Sequence, residues 1–265
     1  MMRGLTIDLE DWFQVYNFSR IIKQEDWGKQ RERVIRNTDR LLDVLDEYDT
    51  KATFFVLGWI AEKYPFLVNE IATRGHEIGC HGYSHKPVFL MSKEEFEHDL
   101  ERSVKAIKKA CGARPKGYRA PSFSITKKTL WALDVLKENG FEYDSSMMPT
   151  DKHPDYGIKG IPRKPFMIKG IKEIPLTTVH GLPVGGGYFR AYPYILTRYL
   201  MKKDKNSIFY IHPWEFDPKI PRYNLPLLKR FRHYVGLKKT RKKFRKLLRD
   251  FRFDKLDNII KKDFS

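Results

Sequence analysis

Three carboxylates, Asp8, Glu10 and Asp11, fall within four positions at the close of a short apolar run, residues 5–9. Acidic side chains are poorly suited to a buried strand and repel one another at close range, so this cluster calls for a compensating cation. Strand alternation puts Asp8 and Glu10 on one face, and Asp11 joins them if the strand has already ended. A second polar group, His81 and His85, follows another strand-like run at residues 77–80. Two imidazoles four residues apart around Gly82 can turn onto one point, and imidazole with carboxylate is a ligand mix for Zn²⁺, Fe²⁺ or Co²⁺. With one carboxylate from the first strand they form a two-His, one-carboxylate set that leaves coordination positions open for water and substrate. His76, nearer the strand interior, reads as a buried structural histidine.

Three further strand ends carry unusual residues. Arg119 follows Gly117-Tyr118, and a nearly buried guanidinium needs a carboxylate partner, for which Asp8 is the candidate. Asp144 ends residues 141–144 and His212 ends residues 207–212; a carboxylate beside a histidine raises its pKa and fixes its tautomer.

The elements that must position these residues alternate. Strands are expected at 5–9, 52–57, 77–80, 117–119, 141–144 and 207–212. Helices are expected at about 28–48, 60–71, 92–107 with a Ser92/Glu95 capping box, and 127–139. Regularity lapses between Pro149 and Arg190, where prolines and the run Gly185-Gly186-Gly187 accumulate. Repeated strand–helix units predict a parallel sheet, and this many in one chain favours a (β/α) barrel, whole or lacking a unit, with reactive groups at the C-terminal ends of its strands.

Composition narrows the rest. The chain has 265 residues, a hydrophobic share of 41% sufficient for a core, and a formal net charge of +18. Residues 221–265 hold 16 Lys and Arg against 4 Asp, so most of the excess is C-terminal. There Phe244, Leu247, Leu248 and Phe251 share one helical face, a stripe that would dock with a solvated basic back. The division expected is 1–220 as the catalytic region and 221–265 as a basic helical extension packed on it. The basic tail is a candidate contact for an anionic membrane or polymer. No nucleic-acid reader motif is present, so nucleic acid is not an expected partner. No apolar run is long enough to span a bilayer and no secretory signal is recognisable, which suggests a cytoplasmic protein or one at the inner membrane surface. The two cysteines, Cys80 and Cys111, read as buried thiols.

The ordered series Asp8 with Glu10 and Asp11, His81-x-x-x-His85, Arg119-x-Pro121, Asp144 and His212 resembles the motifs of the polysaccharide deacetylases, carbohydrate esterase family four with its NodB-homology domain. Asp8-x-Glu10-Asp11-Trp12, Gly185-Gly186-Gly187-Tyr188-Phe189-Arg190 and His212-Pro213-Trp214-Glu215 are similar to the subgroup associated with exopolysaccharide gene clusters. The resemblance implies a distorted (β/α) barrel of about seven strands and metal-dependent removal of acetyl groups, chiefly N-acetyl, from a hexosamine-containing glycan. It makes Asp8 the general base, His212 the general acid, Arg119 the residue orienting Asp8, and Asp144 the residue tuning the imidazole. His81 and His85 become metal ligands together with Glu10, preferred on strand alternation, or Asp11. The metal would be Zn²⁺, with Co²⁺ or Fe²⁺ as alternatives. The backbone N–H of Ser122 would face the oxyanion, and Tyr188, Arg190 and Trp214 would stack on or hydrogen-bond a sugar ring. Competing readings are a hydrolase of small cyclic amides or ureides on the same fold and a non-catalytic glycan-binding relative.

Overall fold

The computed structural model describes residues 2–151 and 156–263. Strand β1 (Arg3–Leu9) is buried along its whole length, as a strand covered on both faces must be. After it come α1 (Val34–Glu47), β2 (Thr53–Val56), α2 (Gly58–Lys63), α3 (Pro65–Thr73), β3 (Glu77–Cys80), α4 (Lys93–Cys111), β4 (Gly117–Tyr118), α5 (Trp131–Glu138) and β5 (Tyr143–Asp144). The single helix expected at 60–71 is two, because Pro65 has no N–H to continue α2 and instead opens α3. The expected capping box is present at the start of α4: Ser92 accepts the Glu95 N–H, and the Glu95 side chain accepts the Ser92 N–H.

The stretch expected to be irregular contains β6 (Phe166–Ile168), β7 (Ile171–Glu173), β8 (Thr178–Val179), β9 (Leu182–Pro183) and α6 (Gly186–Ala191), followed by α7 (Tyr194–Lys203) and β10 (Ile208–Ile211). Strands of two or three residues are too short to show an alternating pattern, which is why composition concealed them.

Seven strands, in the order β10, β1, β2, β3, β4, β5, β7, run parallel, and β6 adds an antiparallel edge. The sheet curls toward closure, since the Ile208 N–H of β10 donates to Thr177 Oγ1 in the chain leaving β7 at 2.7 Å. The architecture is the expected distorted (β/α) barrel. Its interior is crowded: a Cβ at Gly117 would lie 2.0 Å from the Tyr143 ring, so only glycine fits there.

The C-terminal segment supplies α8 (Leu227–Tyr234), α9 (Leu237–Asp250), β11 (Phe253–Asp254) and α10 (Leu256–Asp263). Phe244, Leu247, Leu248 and Phe251 are buried as their spacing required, but Lys243, placed on the solvated side by the helical pattern, is buried too. β11 pairs with Arg3 and Gly4 at the start of β1. Leu256 and Ile260 of α10 pack against Phe55, Tyr143, Ile174 and Ile208, and the Asp257 N–H reaches Glu77 Oε2 at 3.0 Å. This segment therefore closes the end of the barrel at which the strands begin, leaving the opposite end for the site. Cys80 is buried and Cys111 half-buried, and both are free thiols.

Candidate active site

Strand register brings the polar strand ends into one layer. Ile7 pairs with Ile211, so the residues that follow, Asp8 and His212, become neighbours; Cys80 pairs with Tyr118, which sets His81 beside Arg119. His212 Nε2 lies 3.7 Å from Asp8 Oδ2 and 3.5 Å from Glu10 Oε1. The wholly buried Arg119 donates to Asp8 Oδ1 at 2.8 Å, Thr6 Oγ1 at 2.7 Å, and Ser145 O and Oγ at 2.9 and 2.8 Å. Its guanidinium also lies over the Phe55 ring at 4.2 Å. A carboxylate gripped by a fork fixed on this many partners keeps one orientation.

Glu10, His81 and His85 converge. One ligand atom from each lies within 4.8 Å of the others, and all three residues are buried. Glu10 Oε2 sits 2.7 Å from His85 Nε2. The loop carrying His85 needs left-handed backbone, at Gly82 (φ +70°) and at His85 itself (φ +54°). Asp99 of α4 holds it by accepting the Tyr83 and Ser84 N–H groups at 2.7 and 3.0 Å. His81 Nδ1 is 2.8 Å from the Arg119 carbonyl; donating there leaves Nε2 as the ligand atom, the usual backing of a metal-bound imidazole. Burial pulls the His81 pKa down to about 4, so the ring is neutral at pH 7. Burial alone would raise Glu10, but the imidazoles of His85, His212 and His81 outweigh it and hold the carboxyl at about 2. Glu10 Oε2 is buried and faces the His85 ring. An ionised carboxylate and neutral imidazole converging in a buried cluster fit a divalent cation.

Asp11, the alternative ligand, is corrected by its surroundings. Its carboxylate accepts the N–H groups of Trp12, Arg33 and Val34 at 2.7, 2.7 and 2.9 Å, and so faces the start of α1. Asp144 is corrected as well. It pairs in register with Tyr118, and its carboxylate is engaged by partners other than His212. Ser146 Oγ donates to Asp144 at 2.5 Å, and Glu173 is its carboxyl neighbour. The residue on His212 is Glu215, whose Oε1 is 2.6 Å from Nδ1. Burial would lower the His212 pKa, but the Glu215 hydrogen bond and the charges of Glu10, Glu215 and Asp8 raise it to about 9.

Glu215 in turn receives Arg190, which explains a third difference. The Arg190 guanidinium donates to Glu215 and to the carbonyls of His233, Val235 and Arg232, so it braces Glu215 where a sugar contact was expected. Trp214 is sandwiched between His212 and His233, with ring centroids 5.4 and 4.6 Å away, and its indole N–H points to Glu10. Neither face is open for stacking. All four expected residues, Ser122, Tyr188, Arg190 and Trp214, line the cavity, Ser122 in the left-handed region (φ +55°). The cavity is about 430 Å³ and is walled by aromatic residues that the sequence pattern did not single out, among them Tyr16, Phe123, Tyr156 and Tyr210. They come from four separate segments, and no local spacing links them. Glu215 had a local signal, a Glu three residues after His212 that forms a capping-box arrangement with it.

Residues 30–143 match the family model described as polysaccharide deacetylase, and residues 145–261 match a domain of unknown function (DUF3473). The peptidoglycan deacetylase of Helicobacter pylori is 37% identical over 117 residues, 44% of this chain and 39% of that one. A peptidoglycan-N-acetylglucosamine deacetylase of Bacillus cereus is 37% identical over 120 residues, 41% of this chain and 44% of that one. The chain thus spans less than half the length of these curated relatives. A family 4 carbohydrate esterase from Streptomyces lividans, solved with acetate, shares the fold with a TM-score of 0.52 at 16% identity, covering 95% of this chain and 91% of that one. Residues 30–143 thus match the polysaccharide deacetylase family, and the barrel has the fold of a family 4 carbohydrate esterase.

Proposed function

We propose that the protein is a metal-dependent deacetylase that removes N-acetyl groups from a hexosamine-containing glycan. One observation carries the reading: Asp8, fixed by Arg119, and His212, fixed by Glu215, flank the Glu10–His81–His85 cluster in one cavity. A divalent cation held by Glu10, His81 and His85, with Zn²⁺ the best match to the donor set, would polarise the acetamide carbonyl and acidify water. Asp8 takes a proton from the attacking water, its acceptor oxygen aimed by Arg119. The Ser122 N–H faces the oxyanion as the carbonyl becomes tetrahedral. His212, kept protonated by Glu215, gives its proton to the sugar nitrogen as the C–N bond breaks, so acetate and a free amine leave. Ring contacts with the sugar fall to Tyr188 and the other aromatic walls, since Arg190 and Trp214 are occupied. Residues 145–261, which bring His212, Glu215 and Arg190, build the acid side of this site, and the exopolysaccharide class is the substrate we assign to it.

The test is acetate release from N-acetylglucosamine oligomers by purified protein before and after chelation. Activity lost on chelation, restored by Zn²⁺ and absent in His81→Ala supports the proposal. Undiminished hydrolysis after both treatments overturns the metal-dependent reading, and activity confined to cyclic amides or ureides overturns the substrate.

A further inference from the structure

The cavity mouth carries apolar side chains that water does not favour. On α8, Leu227, Leu228 and Phe231 are 84%, 61% and 59% exposed, and at positions i, i+1 and i+4 they make one ridge. Leu228 and Phe231 line the cavity itself. Across the mouth, Phe89 is also exposed and lies edge-on to Tyr16, another lining residue. Exposed leucine and phenylalanine clustered at the rim of a site mark an interaction surface.

Charge identifies the partner. Residues 218–249 contain 13 Lys and Arg and no Asp or Glu. Lys229 and Arg230 interleave with the ridge, and among the described residues neither has a carboxylate partner. Arg245 pairs with Glu47 and Lys243 is buried, so these two on α9 are already engaged. A short helix with a projecting apolar ridge and unpaired cations beside it has the composition of an interfacial element on an anionic bilayer. No described helix is long and apolar enough to cross a membrane, and the contact is made by the surface of α8.

We infer that α8 docks this protein on an anionic lipid surface with the cavity mouth at the headgroup level, so that the glycan it serves is presented at a membrane. The docking stands on the surface alone; only the last clause rests on the deacetylase reading.

The test is flotation of the full chain with vesicles of phosphatidylcholine containing about one third phosphatidylglycerol, and with phosphatidylcholine alone. Two variants avoid the cavity lining: Leu227→Glu removes apolar contact, and Lys229→Glu/Arg230→Glu reverses charge. Binding to the anionic vesicles only, weakened at least about fivefold by each variant, is expected, with acetate release from soluble oligomers unchanged. No flotation of the wild type overturns the inference. So does flotation abolished by about 0.5 M salt yet indifferent to Leu227→Glu, which would assign binding to charge on α9. A Leu227→Glu variant that dissolves a dimer without altering flotation assigns the ridge to a second copy instead. Flotation with no hydrolysis of any acetylated glycan would retain the docking and remove the deacetylase reading.

Discussion

Glu215 Oε1 lies 2.6 Å from His212 Nδ1 and 3.1 Å from the His212 backbone N–H, so one carboxylate oxygen holds both the ring and the main chain of the same residue. Its other oxygen is held by Arg190, itself anchored on the carbonyls of Arg232 and His233 in the last turn of α8 and of Val235 just past it. The imidazole is thereby fixed with Nδ1 protonated and Nε2 toward Asp8 and Glu10, the orientation a proton donor in the cavity needs.

Replacing Glu215 by Gln keeps an acceptor for Nδ1–H and removes the charge. His212 is protonated below a pKa of about 9, so the activity its proton supports is present at neutral pH and declines as pH rises through that value. In Glu215→Gln the alkaline limb of the kcat profile should move to lower pH, with kcat at pH 7 reduced about tenfold; His212→Ala should lose about 10²-fold or more. An unmoved limb would place the source of the raised pKa elsewhere.

Asp144 offers the contrasting case. Burial lifts it to about 6, and burial beside Asp144 lifts Glu173 much further, so one proton is shared between them with Glu173 as its holder. Asp144 Oδ2 and Glu173 Oε2 have no other hydrogen-bond partner among the described residues. Glu173→Gln, a mimic of the protonated acid, should unfold in urea within about 1 kcal/mol of the wild type. Glu173→Leu strands a buried carboxylate and should cost about 3 kcal/mol. Asp144→Asn should leave the alkaline limb of kcat in place, in contrast to Glu215→Gln.

The difference between these two carboxylates shows what the sequence could convey. Asp8 and His212 stood out because each lies at the end of a strongly apolar strand, and His81 and Arg119 because they are polar residues directly following the short strands β3 and β4; parallel register gathers such strand ends into one layer. Glu10 was ranked over Asp11 by alternation; its carboxylate lies with His81 and His85, while that of Asp11 is taken by the N–H groups at the start of α1. Asp144 ends a strand equally well, but its carboxylate is taken by Ser146 and Glu173. Strands β5 and β7, two and three residues long, leave no periodic trace from which the Glu173 partner could be read. Arg190 and Trp214 are partnered by α8 and His233, across sequence distances that no spacing rule reaches.

Lys243 tests how far the C-terminal helix supports the site. Its ammonium donates to the carbonyls of Phe189 and Tyr192, closing α6, the helix that carries Arg190. Burial, reinforced by Arg190 and Lys239, lowers its pKa to about 8, so it remains largely charged at pH 7. Lys243→Met keeps the apolar stem and removes the donors. The expected loss is about 2 kcal/mol, the scale of charged hydrogen bonds, or a fall of roughly 6 °C in the calorimetric Tm. A variant as stable as the wild type would show that α6 is held without it.

His76 makes a separate prediction about acid stability, away from the site. Its Nδ1 accepts the Ala52 N–H at 3.2 Å, and Nε2 is buried without a partner among the described residues. Burial, aided by Lys51, lowers its pKa to about 4 from the usual 6.5. Between these values the unfolded chain binds the proton and the folded chain does not, so stability is complete above about pH 6.5 and is lost as pH falls toward 4. The linkage amounts to about 2 kcal/mol at pH 5. His76→Asn retains an acceptor for Ala52 and does not titrate, so its Tm should fall less than that of the wild type between pH 7 and pH 5. Parallel Tm curves for the two proteins would mean that the acid sensitivity originates in other groups, His233 first among them, since burial lowers its pKa to about 3.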